Sequence, residues 1–187
     1  MLPAKGFCMT VIYETPRTLV RAFEANDVDD CFVWMSDPEV ARYELYPPYD
    51  YEETREDVLR AGALPINTPG VWNEYAVVTR DTRRVIGGVS FHYDDSENRS
   101  FEVGYRIATG HQRQGYAREA VHGLLQLVFS LGAHRVFAIM DVRNTASVRL
   151  AERLGMRREA HMLQNVWVKG EWNDEYIYAM LEHEFQP

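Results

Sequence analysis

The chain has 187 residues, a net charge of -8, and is 46% apolar and 26% charged. That length suits one domain with a sizeable core and leaves little room for a second. The acidic balance argues against a general nucleic-acid binder, which would show a basic face, and no apolar run reaches membrane-spanning length.

Cys8 and Cys31 lack metal-ligand spacing, and the histidines form no ligand set, so no metal site is expected. Without a disulfide framework, a reducing cytoplasm is the default location. The first ten residues lack the long apolar stretch of a signal peptide.

In chain order, residues 1–16 read as an N-terminal extension ended by Pro16, and residues 17–187 as the single domain. Residues 18–23 alternate and read as a first strand. Asn26 or Asp27 is placed to cap a helix running to Met35, and Asp37-Pro38 to start a short helix reaching Tyr43. Pro47-Pro48 forces a break. Residues 51–61 read as a helix with Val58 and Leu59 inward, followed by a loop rich in Pro, Asn and Gly over 65–70.

The pattern then turns extended. Strands are expected over 72–79, 84–93 and 100–108, joined by polar turns at 80–83 and 94–98, which gives an antiparallel meander. From 115 to 131 apolar residues recur at 117, 120, 121, 124, 125, 128 and 131, a helical stripe stopped by Gly132. Residues 135–142 read as a strand buried on both faces and parallel to the one before the helix. A second helix over 144–154 has Asn144 as cap and Gly155 as stop. Two long strands, 156–169 and 172–184, flank the turn Lys169-Gly170-Glu171. The sum is an α/β (α+β mixed) domain with helices packed on a mixed sheet.

Between the strand ending near Ala108 and the helix from 115 stands Gln112-Arg113-Gln114-Gly115-Tyr116-Ala117. A glycine among polar residues at a helix N-terminus suits phosphate, because backbone N–H groups and the helix dipole both favour an anion there. Gly110 and Gly115 match the outer glycines of a P-loop, but Tyr116-Ala117 stand where Lys and Ser/Thr would hold the γ-phosphate and magnesium. The dinucleotide fingerprint G-x-G-x-x-G is absent. A third reading is Q-x-x-G-x-A, a pyrophosphate loop for coenzyme A.

That segment resembles the Q/R-x-x-G-x-G/A signature of the GNAT superfamily, the acyl-CoA-dependent N-acetyltransferases. Three further segments are similar to its Rim-type branch, named for ribosomal-protein N-terminal acetyltransferases. They are Glu102-Val103-Gly104-Tyr105, Asn144-Thr145-Ala146-Ser147 with Leu154-Gly155-Met156, and Ser36-Asp37-Pro38-Glu39-Val40. The resemblance spans about residues 17–183. It implies a GNAT-like central sheet, mixed but mostly antiparallel, with helices on both faces and a splayed pair of parallel strands. It also implies acetyl-CoA as cosubstrate.

The same resemblance implies that the backbone of Gln112, Arg113, Gln114, Gly115, Tyr116 and Ala117 holds the CoA pyrophosphate. Ile107, Ala108 and Thr109 would carry a β-bulge that frees an N–H for the thioester carbonyl, where a fixed donor stabilises the tetrahedral oxyanion. Asn144 and Ser147 would contact the cofactor, and Ser147 would protonate the leaving thiolate; as plain structure, the two read as a helix cap and a first-turn serine. Many family members place a tyrosine four residues beyond this serine. Here that residue is Ala151, which leaves Ser147, a water or another tyrosine as the acid.

A primary amine must lose a proton before it attacks, so a base is needed. Glu102 is the leading candidate and Glu74 the weaker one; the plain alternative for Glu102 is a surface carboxylate. Trp34, Tyr43, Trp72, Trp167, Trp172 and Tyr176 are candidates to line the acceptor pocket. His111, beside the phosphate loop, reads as facing solvent.

The implied reaction is acetyl transfer to an amine-bearing substrate, a protein N-terminal α-amine or a small molecule, by direct attack in a ternary complex. Neither nucleic acid nor membrane is expected as a partner, and the protein is expected as a monomer or homodimer. The alternative is a non-catalytic CoA-binding module for sensing or interaction.

Overall fold

The computed structural model describes residues 10–94 and 97–186. Most of the expected extension, including Cys8, lies outside these residues, as does Asp95 of the 94–98 turn. The described end of that extension is not a lead-in. Val11–Glu14 forms strand β1, paired antiparallel with β2, Thr18–Arg21, so the sheet begins before Pro16. The remaining strands are β3, Asn73–Thr79; β4, Val85–Tyr93; β5, Ser100–Ile107; β6, Arg135–Asp141; β7, Arg157–Val168; and β8, Glu171–Leu181. They form one eight-stranded sheet in the order β1-β2-β3-β4-β5-β6-β8-β7. Every pairing is antiparallel except β5 with β6, as the chain order of the expected strands required.

Four helices cover the two faces: α1, Val28–Met35; α2, Tyr51–Ala63; α3, Tyr116–Ser130; and α4, Thr145–Arg153. Side chains of α3 and α4 join alternate residues of β3 to β6 in the larger core, with Phe91, Leu124, Leu125 and Val128 wholly buried. Each such side chain contributes about 1.5–3 kcal/mol by leaving water. Helices α1 and α2 cover the β2–β4 end of the opposite face, around Trp34 and Val58.

Local chemistry explains the helix ends. Asp50 and Glu53 exchange bonds at the start of α2, each side chain accepting from the other's backbone N–H at 2.9 and 2.8 Å. Gly132, at φ +93°, stops α3, and the next residue, Ala133, returns an N–H bond to Val128. Asp27 stands at the N-cap position of α1, as the sequence suggests, but its carboxylate takes no N–H of that helix. It grips Arg21 through bonds of 2.6 and 2.7 Å, both side chains being buried, and accepts the Glu24 N–H at 2.8 Å.

Several expectations shift. The short helix after Asp37-Pro38 is reduced to a 3-10 turn at Ala41–Tyr43. Leu59 is exposed where Val58 is buried. On α3, Phe129 takes the inward place expected of Leu131, which is exposed. Strand β6 is not buried on both faces: Val136, Ala138 and Met140 enter the core, while Phe137 and Ile139 face the opposite side, with Ile139 exposed. That open face, left uncovered beyond α1 and α2, borders the candidate site.

Candidate functional site

The site sits where β5 and β6 part. They pair only through Ser100–Arg135, Phe101–Val136 and Glu102–Phe137. Beyond Glu102 the two strands continue unpaired, and a gap opens between residues 103–107 and 138–141. The N–H of Ala108 donates to Ile86 on β4 at 2.8 Å. Alternation along an extended strand therefore turns the N–H groups of Ile107, Tyr105 and Val103 away from β4, into that gap.

The expected bulge at Ile107, Ala108 and Thr109 is absent. β5 runs against β4 one residue to one, from Phe101–Tyr93 to Ile107–Gly87. The extra residue lies on β4 instead: Val77 and Val78 of β3 face Gly87 and Val85, skipping Ile86. The free edge at Ile107 thus arises because the partner strand diverges. After Ile107 the chain enters a 3-10 turn, and the Thr109 hydroxyl donates to Asp37 at 2.6 Å, which ties the early Ser-Asp-Pro-Glu-Val segment to this corner.

Gln112 to Gly115 form the loop that follows, with Tyr116 and Ala117 already in the first turn of α3, and the two glutamines act as braces. Gln112 Nε2 donates to the Ile107 carbonyl and Gln114 Nε2 to the Gly110 carbonyl, both at 2.9 Å. Arg113 and Gly115 have positive φ, +58° and +90°. Among the described residues, no acceptor takes the backbone N–H of any residue from Arg113 to Arg118; the first helical bond is Glu119 N–H to Gly115. Six successive free donors with left-handed turns between them, at the positive end of α3, form an anion cradle.

Two side chains beside the cradle had not been assigned by sequence. Arg17 reaches over from the β1–β2 turn, bonds Glu119 of α3 at 2.7 Å, and lies 4.5 Å from the Tyr116 ring centre. A contact between residues 102 apart in sequence leaves no local signal. His111 packs edge-on to Tyr116, and its Nδ1 is buried without a partner, contrary to the solvent-facing expectation.

On the other side of the gap, Asn144 caps α4: its Oδ1 accepts the Ser147 N–H at 3.1 Å. Ser147 is half-buried in the first turn of α4. Its neighbour across the gap is Tyr105. Burial pushes the Tyr105 phenol up to about 12, and the Ser147 side chain pulls it back the other way. The two hydroxyls do not close to a hydrogen bond, so the Tyr105 oxygen is buried and unpartnered. The diverging ends of β5 and β6 thus lead, the one through Tyr105 and Ile107 to the cradle, the other to Asn144 and Ser147 at the start of α4.

Glu102 lies on the opposite, open face, at the last paired position of β5. His92 stands directly across from it on β4, and the Trp72 ring lies 5.6 Å from the His92 ring. Burial raises the Glu102 carboxyl, His92 pulls it down, and Glu175 pushes it up again. Glu74, the weaker candidate, is committed: one oxygen takes Arg60 at 2.7 Å and the other Arg106 at 3.1 Å. Of the expected pocket aromatics, Trp72 borders this face and Trp34 lies buried beneath Arg106. Tyr176 instead packs towards the α3–α4 side, and Trp167 and Trp172 stack edge-on at the exposed end of the β7–β8 hairpin. Tyr43 follows Arg42, whose guanidinium lies 5.5 Å from its ring centre.

Among the described residues, no group of three or more His, Cys, Asp or Glu is placed to hold a metal ion, and no helix is long and apolar enough to cross a membrane.

Comparison with known proteins gives matches across nearly the whole chain. Residues 17–157 match the family model described as Acetyltransferase (GNAT) domain. The uncharacterized N-acetyltransferase p20 of Bacillus licheniformis is 31% identical over 95% of this chain and 99% of its own. A GNAT-family acetyltransferase structure from Bacillus anthracis superposes with a TM-score of 0.83 at 29% identity, covering 94% of this chain and 100% of that one. The fold also recurs in spermidine N-acetyltransferase from Vibrio cholerae, solved with CoA and spermine, at a TM-score of 0.76 and 22% identity over 89% of this chain and 96% of that one.

Proposed function

Because the chain belongs to the GNAT family and is an N-acetyltransferase, we propose that it passes an acetyl group from acetyl-CoA to a primary amine by direct attack, both substrates being held at once. The observation that carries this reading is the run of free N–H groups from Arg113 to Arg118 at the foot of the β5–β6 gap. The run suits a pyrophosphate, and the gap suits an extended arm that pairs with a strand edge.

The chain's residues then divide the work. The cradle from Gln112 to Ala117 binds phosphate oxygens, with the glutamine side chains bracing the loop from behind. The Ile107 N–H, turned into the gap beside Ala108 and Thr109, is the donor to the thioester carbonyl as negative charge develops on its oxygen. Asn144 holds the start of α4, and Ser147 faces the departing sulfur. The amine enters from the open face, where Glu102 takes its proton directly or through water. Cys31 is buried in the smaller core, away from this cleft, so among the described residues the transfer has no thiol to pass through.

The acceptor class is a primary amine. The spermine bound to the Vibrio relative makes a polyamine the first acceptor to try, and a peptide α-amine the second. Titration with CoA should raise the melting temperature, a hundredfold excess over Kd adding about 2.7 kcal/mol. Thiol release from acetyl-CoA, followed across polyamines, aminoalkyl compounds and short peptides, should then identify the amine. No shift with CoA would defeat the reading of the cradle. A shift without thiol release for any amine would defeat the reading of the reaction.

A further inference from the structure

The cradle's own cations are loose: Arg113 and Arg118 are exposed, and among the described residues nothing anchors either guanidinium. Arg17, to which the proposed reaction gives no role, is anchored beside the cradle. Its carbonyl takes the Arg80 N–H at 2.9 Å, which pins the β1–β2 turn. Its Nε and Nη2 both meet Glu119 Oε1, at 2.7 and 2.6 Å, and its guanidinium lies 4.5 Å from the Tyr116 ring centre. Thr15, in the same turn, donates to the other oxygen of Glu119 at 3.1 Å. Nη2 stands where a side chain at Gly115 would go: a Cβ there would lie 2.9 Å from it. Among the described residues Nη1 bonds nothing. A planar fork with one free edge is thus held against the glycine in the middle of the unpaired N–H run.

We propose that Arg17 is a cofactor-binding residue, whose guanidinium closes the cradle over the CoA pyrophosphate. This rests on the reading of the cradle given above. The backbone N–H groups supply direction, and Arg17 supplies the full positive charge that they lack. A guanidinium presents parallel N–H donors that match phosphate oxygens, and Nη1 is the donor left for them. Glu119 has two effects. It fixes the arginine's fork in place, but its own carboxylate, in the first turn of α3, repels an anion at the helix start. Arg17 cancels that repulsion. The Arg17 side chain keeps 44% of its exposure, so its pair with Glu119 adds little to stability and gives way readily to a stronger anion. Because the arm comes from the β1–β2 turn, phosphate binding ties that turn to α3.

Binding titrations test this without turnover. Arg17→Gln should raise the Kd for CoA by about ten- to a hundredfold, the worth of a charge-assisted hydrogen bond. Glu119→Gln breaks the same ion pair but leaves the guanidinium in reach, so it should bind CoA no more weakly than the native chain. An equal loss in both variants would mean that the pair only holds the turn to α3, and would overturn the inference. The double variant should stay weaker than native; recovery to the native Kd would mean that Arg17 merely masks Glu119, which also overturns it. Two ligands locate the contact. Dephospho-CoA, which lacks the 3′-phosphate but keeps the pyrophosphate, should show the same loss in Arg17→Gln as CoA does. Pantetheine, which has no phosphate, should bind Arg17→Gln and the native chain alike. A loss absent with dephospho-CoA, or present with pantetheine, would remove Arg17 from the pyrophosphate. If the native chain does not bind CoA, the cradle falls and this inference with it; native binding with an unimpaired Arg17→Gln sinks the inference alone.

Discussion

His92 and Glu102 face each other across β4 and β5 at the last level where β5 still pairs with β6, so the carboxylate stands at the threshold of the cleft. Burial is the main influence on Glu102 and raises it; His92 opposes that rise. A base with a raised pKa lies nearer the working pH, where it takes a proton from an ammonium more readily. Glu102→Gln should therefore reduce kcat/KM by about 10²–10⁴ and remove the rise in rate as pH passes through the elevated Glu102 value. Stability should change in the other direction. Below the unfolded value both states hold the proton, and the variant matches the native chain. Above the folded value only the native chain buries a charge, so the variant should be as stable or more stable at neutral pH. Melting curves at acid and neutral pH, beside a pH–rate profile, check both signs.

Gly115 is held for two reasons at once. Its φ of +90° is one that L side chains avoid, and a Cβ placed there would lie 2.9 Å from Arg17 Nη2. Gly115→Ala should cost about 1–2 kcal/mol in backbone strain and push Arg17 aside. The cradle would lose its shape, because Gly115 and Arg113 set the directions of the donors that follow. Urea unfolding should show the stability loss, and the melting shift produced by CoA should shrink by more than that loss explains. Gly115→Glu would add a charge to the strain, so it tests the anion site less cleanly than alanine. A full CoA-induced shift in Gly115→Ala would refute the role given to the loop.

Much of this architecture was legible because it is written locally. The α3 stripe, the meander and the segment from Gln112 to Ala117 all follow from periodicity, turn residues and a short motif, and each falls within a residue or two of its expected bounds. Features set by distant partners were not legible. Strand β1 has no pattern to mark it and exists because β2 offers an edge. Asp27 is placed as a helix cap, but nothing local says that its carboxylate will hold Arg21. Arg17 meets the cradle only after α3 has docked. The bulge expected at Ile107 comes from resemblance; the skipped residue, Ile86, lies one strand away. Tyr105 stands in the Glu102–Tyr105 segment, yet nothing local marks its hydroxyl as buried and unpartnered.

Arg106 ties the floor of the open face of β5 to its rim, so, on the proposed reaction, its loss should weaken one substrate only. From β5 it donates to the Tyr46 hydroxyl, in the segment leading to α2, and to Glu74 on β3 at 3.1 Å; its guanidinium lies 5.3 Å from the Trp34 ring centre. Burial works against its charge, but Tyr46, Glu44 and Glu74 more than offset this and keep it protonated. Arg106→Met would release Tyr46 while leaving Glu74 its bond to Arg60. Loss of charge-assisted bonds should cost about 1.5–3 kcal/mol of stability. Lysine should restore little, since one ammonium cannot reproduce the planar fork that serves both partners. The cradle and α4 lie at the other side of the sheet from these contacts. KM for the amine should therefore rise in Arg106→Met while the Kd for CoA stays within error. Steady-state kinetics with the amine varied, beside a CoA titration, separates the two. An equal loss of affinity for both substrates would mean that Arg106 supports the whole cleft rather than its acceptor half.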